Sequence, residues 1–324
     1  MNIKKLTALL CAVVMVLSLA ACGGSGDKAG SKHYTVGICQ LVQHDALDAA
    51  TQGFKDALTE KLGEGNVKFD EQNASGDSAN CTTIVSGFVS TGVDLILANA
   101  TAPLQAAAQA TADIPVLGTS VTDYATALDI SDWTGTVGNN ISGTSDLAPL
   151  DQQAAMIQEM FPNAKTVGLL YCSAEPNSVY QCDVIEGYLT EMGLETTRYA
   201  FTDTNDVTSV TQAAAAASDV IYIPTDNTAA SNTEAIANVV IPEKVPVVAG
   251  EEGICKGCGV AALSISYYDL GYKTGEMAAE ILADGADVST MPVAFAPNVT
   301  KKYNAANCEA LGITPPDGYE AIAD

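Results

Sequence analysis

Two stretches of this sequence put small polar residues where a strand stops and a helix begins. Asp219 to Ser231 reads Asp-Val-Ile-Tyr-Ile-Pro-Thr-Asp-Asn-Thr-Ala-Ala-Ser. Val220 to Ile223 has the β-branched and aromatic composition of a buried parallel strand. Pro224, which donates no ladder hydrogen bond, stops it. Thr225, Asp226 and Asn227 follow, ahead of a helix-compatible segment reaching about Val240. Asp94 to Ala106 repeats the pattern: an Asp, four apolar residues, a turn carrying Asn99 and Thr101, then an Ala-rich helix. The chemistry on offer is non-covalent. Carboxylate, amide and hydroxyl groups at the carboxyl end of a strand hold small ligands, because open α/β sheets bind in the crevice there. The same residue types also cap helices, and both readings stand at this point. Each copy leads to a similar strand, Ile114–Leu117 and Val245–Val248, so two α/β halves facing one cleft are expected.

Covalent chemistry finds little to work with. No Gly-x-Ser-x-Gly elbow and no Walker loop occurs. The histidines are His33 and His44 alone, too few for a His-rich metal set. No enzyme activity, metal or cofactor is therefore expected. Lys+Arg is 14 against Asp+Glu 39, a net charge of -25. A nucleic acid or an anionic membrane surface needs a basic face, so both are excluded as partners. The chain's 324 residues, 48% hydrophobic, suffice for two ordinary domains.

The first residues read as a targeting segment. Lys4 and Lys5 precede an apolar run, Leu9 to Leu19, too short to span a bilayer comfortably. Leu19-Ala20-Ala21-Cys22-Gly23 resembles a bacterial lipobox, which implies a leader over 1–22 and a lipid on Cys22. The Gly/Ser/Lys/Asp-rich residues 23–32 read as a flexible tether. Seven cysteines lie beyond Cys22: Cys39, Cys81, Cys172, Cys182, Cys255, Cys258 and Cys308. Cys255-Lys256-Gly257-Cys258, read as a Gly-rich turn between strands, is the candidate disulfide, with free thiols as the alternative. Cys172 with Cys182 is a weaker candidate pair.

The elements that must position the polar clusters alternate between strand and helix. Strands are expected at 34–41, 66–70, 94–98 and 116–118, with helices at about 47–62, 81–89 and 102–111. Val137 to Gly143 is rich in turn formers and reads as the link to a second half. That half continues with helix 149–161, strand 167–171, a helix through Tyr180 and Met192, strand 196–201, helix 207–217, and strands 220–223, 245–249 and 260–266. A long helix after Tyr267, an extended piece at Pro292–Ala296 and a helix at about 304–311 complete the chain. Such alternation with short connections makes parallel sheets covered by helices. Right-handed crossovers then bring His44, Asn73, Thr101 and Asp123 towards one rim.

Eight motifs, in order, carry a resemblance to the tryptophan/tyrosine-type substrate-binding lipoproteins of ABC transporters. They are Ala46-Leu47-Asp48-Ala49-Ala50, Gln72-Asn73-Ala74-Ser75-Gly76-Asp77, Thr101-Ala102-Pro103-Leu104-Gln105-Ala106, Val121-Thr122-Asp123, Gly143-Thr144-Ser145-Asp146, Pro176-Asn177-Ser178, Pro224-Thr225-Asp226-Asn227 and Tyr267-Tyr268-Asp269-Leu270-Gly271. Asp45 and Cys172 depart from the family, which usually has Pro and Asn there, and the loop through Cys255 and Cys258 is atypical.

The resemblance implies a periplasmic-binding-protein type I fold: two Rossmann-like lobes with parallel sheets, joined by three hinge crossovers. The first lobe would take 33–143 plus 267–291 and the second 144–266 plus 292–324. It implies a lipid-anchored extracytoplasmic protein that hands an amino acid, tryptophan or tyrosine in the family, to an ABC permease and its ATPase. A sensory receptor for another small polar solute is the alternative. An amino acid's carboxylate suits Thr101, the N–H of Ala102 and Thr122. Its ammonium suits Asp226 and Asp123, with Asp146 behind them. Asn177, Ser178 and Asn227 would contribute from the second lobe. His44, Asn73 and Tyr267 would border the cleft.

Overall fold

The structure, a computed structural model, describes residues 32–296 and 298–323. The expected leader 1–22, the lipidation site Cys22 and tether residues 23–31 lie outside the described residues. No described helix is long and apolar enough to cross a membrane.

Apolar runs become strands, and amphipathic segments become the helices between them. The chain begins β1 (Tyr34–Gln40), α1 (Asp45–Leu62), β2 (Val67–Asn73), α2 (Ser78–Thr91), β3 (Leu95–Asn99), α3 (Thr101–Ala110), β4 (Val116–Val121), α4 (Tyr124–Ala127) and β5 (Ile141–Ser145). There follow α5 (Leu150–Met160), β6 (Thr166–Cys172), α6 (Pro176–Glu191), β7 (Glu195–Phe201), α7 (Val207–Ala215), β8 (Val220–Ile223), α8 (Asn227–Ala230), α9 (Thr233–Glu243), β9 (Val247–Ala249), α10 (Glu252–Cys258) and β10 (Ala261–Ser264). Last are α11 (Tyr267–Asp284), β11 (Ala294–Phe295), β12 (Thr300–Tyr303), α12 (Ala305–Leu311) and β13 (Glu320–Ala321).

Two sheets result. The first runs β11-β5-β4-β3-β1-β2 with every neighbouring pair parallel. The second runs β13-β12-β10-β9-β8-β6-β7 and is parallel except where β10 meets β12. β3, β4, β8 and β10 are buried at every residue, as strands covered on both faces must be. Parallel order puts the carboxyl ends of β1, β3, β4 and β5 on one rim, and those of β6, β8 and β9 on another.

From Tyr267 the chain returns to the first sheet. There α11 lies along α1, and Phe54 and Leu58 share a core with Met277, Ala278 and Leu282. Gly53 and Gly271 permit the approach: a Cβ on Gly53 would collide with the carbonyl oxygen of Tyr268, and one on Gly271 with that of Ala50. Tyr268 Oη donates to Asp56 at 3.0 Å and Tyr272 Oη to Glu60 at 2.7 Å along the seam.

Three features differ from the sequence reading. Ile141–Ser145, expected at the link and the start of the second half, is a fully buried strand of the first sheet. Its Ser, Thr and Gly content conceals it. Ala294–Phe295 pairs with Thr144 and Ser145, so part of 292–324 also belongs to the first sheet. Cys255 and Cys258 lie on helix α10 rather than in a turn. They are separate buried thiols, as are Cys172 and Cys182. The glycines at 253 and 257 hide this helix. It is built because Glu251 caps it, accepting hydrogen bonds from the backbone N–H groups of Gly253 and Ile254.

Candidate functional site

The two rims face one another across a small cavity. His44 reaches it from the β1–α1 turn, Leu47 from the first turn of α1, Ser120 and Thr122 from the end of β4, and Asp146 from the end of β5. Asn177 comes from the start of α6, Thr225 and Asp226 from the β8–α8 turn, Asn227 and Ala230 from α8, Glu251 from the end of β9, and Tyr267 from the first turn of α11. About 10 Å³ is open to the centre of a water molecule, room for about one water.

The lining is acidic, and among the described residues no lysine or arginine lines it. Burial pushes the carboxyl groups of Asp146, Asp226 and Glu251 upward, Glu251 to about 7. For Asp226 the nearby charge of Glu175 adds to the effect.

How each carboxylate spends its lone pairs separates their roles. Asp226 accepts from Cys172 N at 2.6 Å and from Ala229 N at 2.8 Å. It therefore ties the end of β6 to the start of α8. Glu251 is committed to α10 in the same way. Asp146 accepts from Tyr267 Oη at 2.8 Å through Oδ2, while its buried Oδ1 has no partner. The hydroxyl of Ser120 is likewise buried without a partner. Ser120 has φ 54 and sits where the β4–β5 register shifts between Gly118 and Val121. A non-glycine residue in the left-handed region is strained. A buried polar atom without a partner costs about 1–3 kcal/mol. Both costs fall at the same wall of one cavity.

A second arrangement spans the cleft. His44, at the N-cap position of α1, places Nε2 3.2 Å from Asn227 Oδ1. Asn227 donates through Nδ2 to Glu175 at 2.7 Å, and Glu175 also accepts from the N–H groups of Asn227 and Thr228. Burial holds His44 below its ordinary pKa, so a neutral ring bridges the two rims. His44→Ala removes that bridge. It is expected to weaken an enclosed ligand by about 3–10-fold, the worth of one hydrogen bond, with most of the change in the dissociation rate measured by stopped flow.

Of the residues expected to bind, the structure gathers His44, Thr122, Asp146, Asn177, Asp226, Asn227 and Tyr267 at the cavity, and leaves five elsewhere. Thr101 is packed in the core at the first turn of α3, with Ala102 beside it. Asp123 caps α4, accepting from Thr126 N at 2.7 Å. Ser178 is wholly buried inside α6. Asn73 ends the edge strand β2, accepts from Ser75 N, and borders a separate polar groove. Ser120, Glu251 and Leu47 line the cavity without having been assigned to it. Glu251's place at a strand end was the available signal, whereas Ser120 looks like one more residue of a strand. Among the described residues, no set of three His, Cys, Asp or Glu is placed to hold a metal ion.

Comparison with known proteins places this geometry. Residues 35–324 match the family model described as ABC transporter substrate binding protein. A tyrosine-binding protein of Clostridioides difficile is 36% identical over 302 residues, covering 90% of this chain and 87% of that one. An ABC domain from Streptococcus pneumoniae, solved in complex with L-tryptophan, is 32% identical with a TM-score of 0.85, covering 90% of this chain and all of that one. The ligand-free, open structure of a Clostridium difficile substrate binding protein with adhesive properties is 37% identical but has a TM-score of 0.68, over 89% of this chain and 99% of that one. The TM-score is thus higher with the ligand-bound relative than with the open one.

Proposed function

Because this chain belongs to the ABC transporter substrate binding protein family, we propose that it captures an aromatic amino acid, tyrosine or tryptophan, between two lobes and delivers it to an ABC permease driven by its ATPase. The fold is that of type I periplasmic binding proteins. In this reading the first lobe comprises the first sheet with α11 and the second lobe the second sheet. The crossovers fall just after β5, between β10 and α11, and between β11 and β12. Cys22 carries the lipid that keeps the protein at the outer face of the membrane. The lobes open, admit the solute, close around it and exclude water, with no chemical step.

The observation that carries the proposal is the pair of unpartnered atoms, Asp146 Oδ1 and Ser120 Oγ, in an acidic cavity where both rims meet. An ammonium group satisfies Oδ1 with a charge-assisted hydrogen bond and relieves the crowding of carboxyl groups. Ser120 donates to the same solute's carboxylate. The relatives' ligands, tyrosine in one and L-tryptophan in the other, have both groups.

Titration calorimetry with tyrosine and tryptophan tests this. The sign of the proton exchange follows from the raised pKa values. A cation entering the cavity favours the ionised carboxyl, pulls Glu251 down from about 7, and releases protons. Affinity should therefore rise with pH between about 5 and 7. The measured heat should also change with the ionisation enthalpy of the buffer in the direction of proton release. Absence of binding by either amino acid would overturn the proposal, and proton uptake would remove the ammonium from Asp146.

A further inference from the structure

A groove of about 910 Å³ lies beside the cavity, bordered by the segments Ser264–Tyr267 and Ala294–Ala296, by Asn298 and Thr300, by the first turns of α11 and by α10. It contains two large exposed aromatic side chains, Phe295 at 58% and Tyr268 at 41% exposure. It also carries charges of both signs, among them Glu252, Asp269, Lys256 and Lys302. Tyr267 and Glu251 line both spaces. They are the partition between a cavity that admits about one water and a groove that would take a peptide.

Neither partition residue is free to swing. The Glu251 carboxylate is held by the first N–H groups of α10. The Tyr267 ring is 6% exposed and packs in one core cluster with Ala46, Ala50 and Leu270. Its hydroxyl is tied to Asp146 Oδ2 at 2.8 Å. The backbone that carries it is capped by Ser266, whose Oγ accepts from Asp269 N at 3.1 Å.

We infer that Tyr267 determines the size of the solute, acting as a wall that admits a single amino acid and excludes one extended by a peptide bond at its amine. The inference rests on the reading that an ammonium sits on Asp146. The hydroxyl of Tyr267 touches the other oxygen of that carboxylate, so the amine is the part of the solute nearest the ring. An extra residue attached to the amine must pass through the ring to reach the groove. With the ring removed, the peptide N–H takes the ammonium's place at Oδ1 and the added residue lies among Phe295, Tyr268 and the groove's charges.

The test is calorimetry of wild type, Tyr267→Ala and Tyr267→Phe with tyrosine, tryptophan, glycyl-tyrosine and glycyl-tryptophan. Wild type is expected to bind the free amino acids and neither dipeptide. Tyr267→Ala is expected to gain at least tenfold in dipeptide affinity while losing affinity for the free amino acids. Tyr267→Phe keeps the wall and loses only the hydroxyl. It is expected to weaken free amino acids about 3–10-fold and still exclude the dipeptides, a split that a purely structural role would not produce. Should Tyr267→Ala not fold, Tyr267→Val is used and the same gain is expected. Wild type that binds dipeptides as tightly as free amino acids overturns the inference. So does a folded Tyr267→Ala that binds free amino acids and no dipeptide. Wild type that binds no free amino acid overturns the reading beneath it, and the inference falls with that reading.

Discussion

Asp146→Asn is expected to weaken tyrosine or tryptophan binding by about thirtyfold or more. Removing one partner of a buried, hydrogen-bonded charge pair costs about 2–5 kcal/mol, and each 1.4 kcal/mol is tenfold in Kd. The substitution is nearly isosteric, and the asparagine oxygen still accepts from Tyr267, which in the native protein donates to Asp146 Oδ2 at 2.8 Å. The lost quantity is therefore the charge on the atom that has no protein partner. Stability should move the other way. Burial raises the pKa of Asp146, which means the ionised group opposes folding when no cation is present. The unliganded variant should melt no lower than wild type in a thermal-shift assay, while the shift on adding tyrosine disappears. The same exchange at Asp226 has a different signature. There an amide NH2 would face the N–H of Cys172 or of Ala229, both of which donate to the native carboxylate, so the unliganded protein itself should melt lower. A hundredfold loss at Asp226 without loss of stability, together with normal binding by Asp146→Asn, would reverse the assignment.

Gly271→Ala is expected to destabilise the pairing of α1 with α11 strongly. A methyl group at 271 would collide with the main-chain carbonyl of Ala50, which has no rotamer to escape into. The two helices must separate along a seam that also holds Gly53 and Gly275. Overpacking of this kind costs about 3 kcal/mol or more, on the order of 5–10 °C in Tm. Alanine's better helix propensity, worth about 1 kcal/mol, opposes that loss. Gly187→Ala on α6 isolates the propensity effect, because nothing lies within 4 Å of a methyl group there. It should leave Tm unchanged or raise it. Equal melting temperatures for the two variants would mean the helices do not meet as described.

What was legible in the sequence follows from the range of each interaction. Val220–Ile223 and Leu95–Ala98 announce themselves as buried strands because four apolar residues between turn signals have few other uses. The polar cluster after Pro224 does reach the cavity. Which of its oxygens remains available was not legible. That depends on Cys172 N, 54 positions away from Asp226, and no local pattern records it. Ser120 was hidden for a related reason. Its strained conformation follows from a register shift against β5, and β5 itself is a Ser-, Thr- and Gly-containing strand without the usual composition. Helix α10 is short and carries glycines, so only its cap, Glu251, marks it. The pairing of α1 with α11 joins residues 212 positions apart, and each helix taken alone shows only that it has a small-residue face.

That pairing also sets the order in which the protein assembles as it is synthesised. Strands β6 to β10 and their helices come from one continuous stretch, so the second lobe has nearly all its parts as soon as that stretch emerges. The first lobe is begun earlier but completed later. Phe54 and Leu58 wait for Met277 and Leu282, and β5 waits for β11. A nascent chain therefore carries its first lobe unfinished through most of synthesis, with the apolar seam of α1 uncovered. Contacts of such long range are slow to form, and surface left open meanwhile invites association. The sheet begun first is thus the one completed last, because its edge strand and its covering helix come from the far end of the chain.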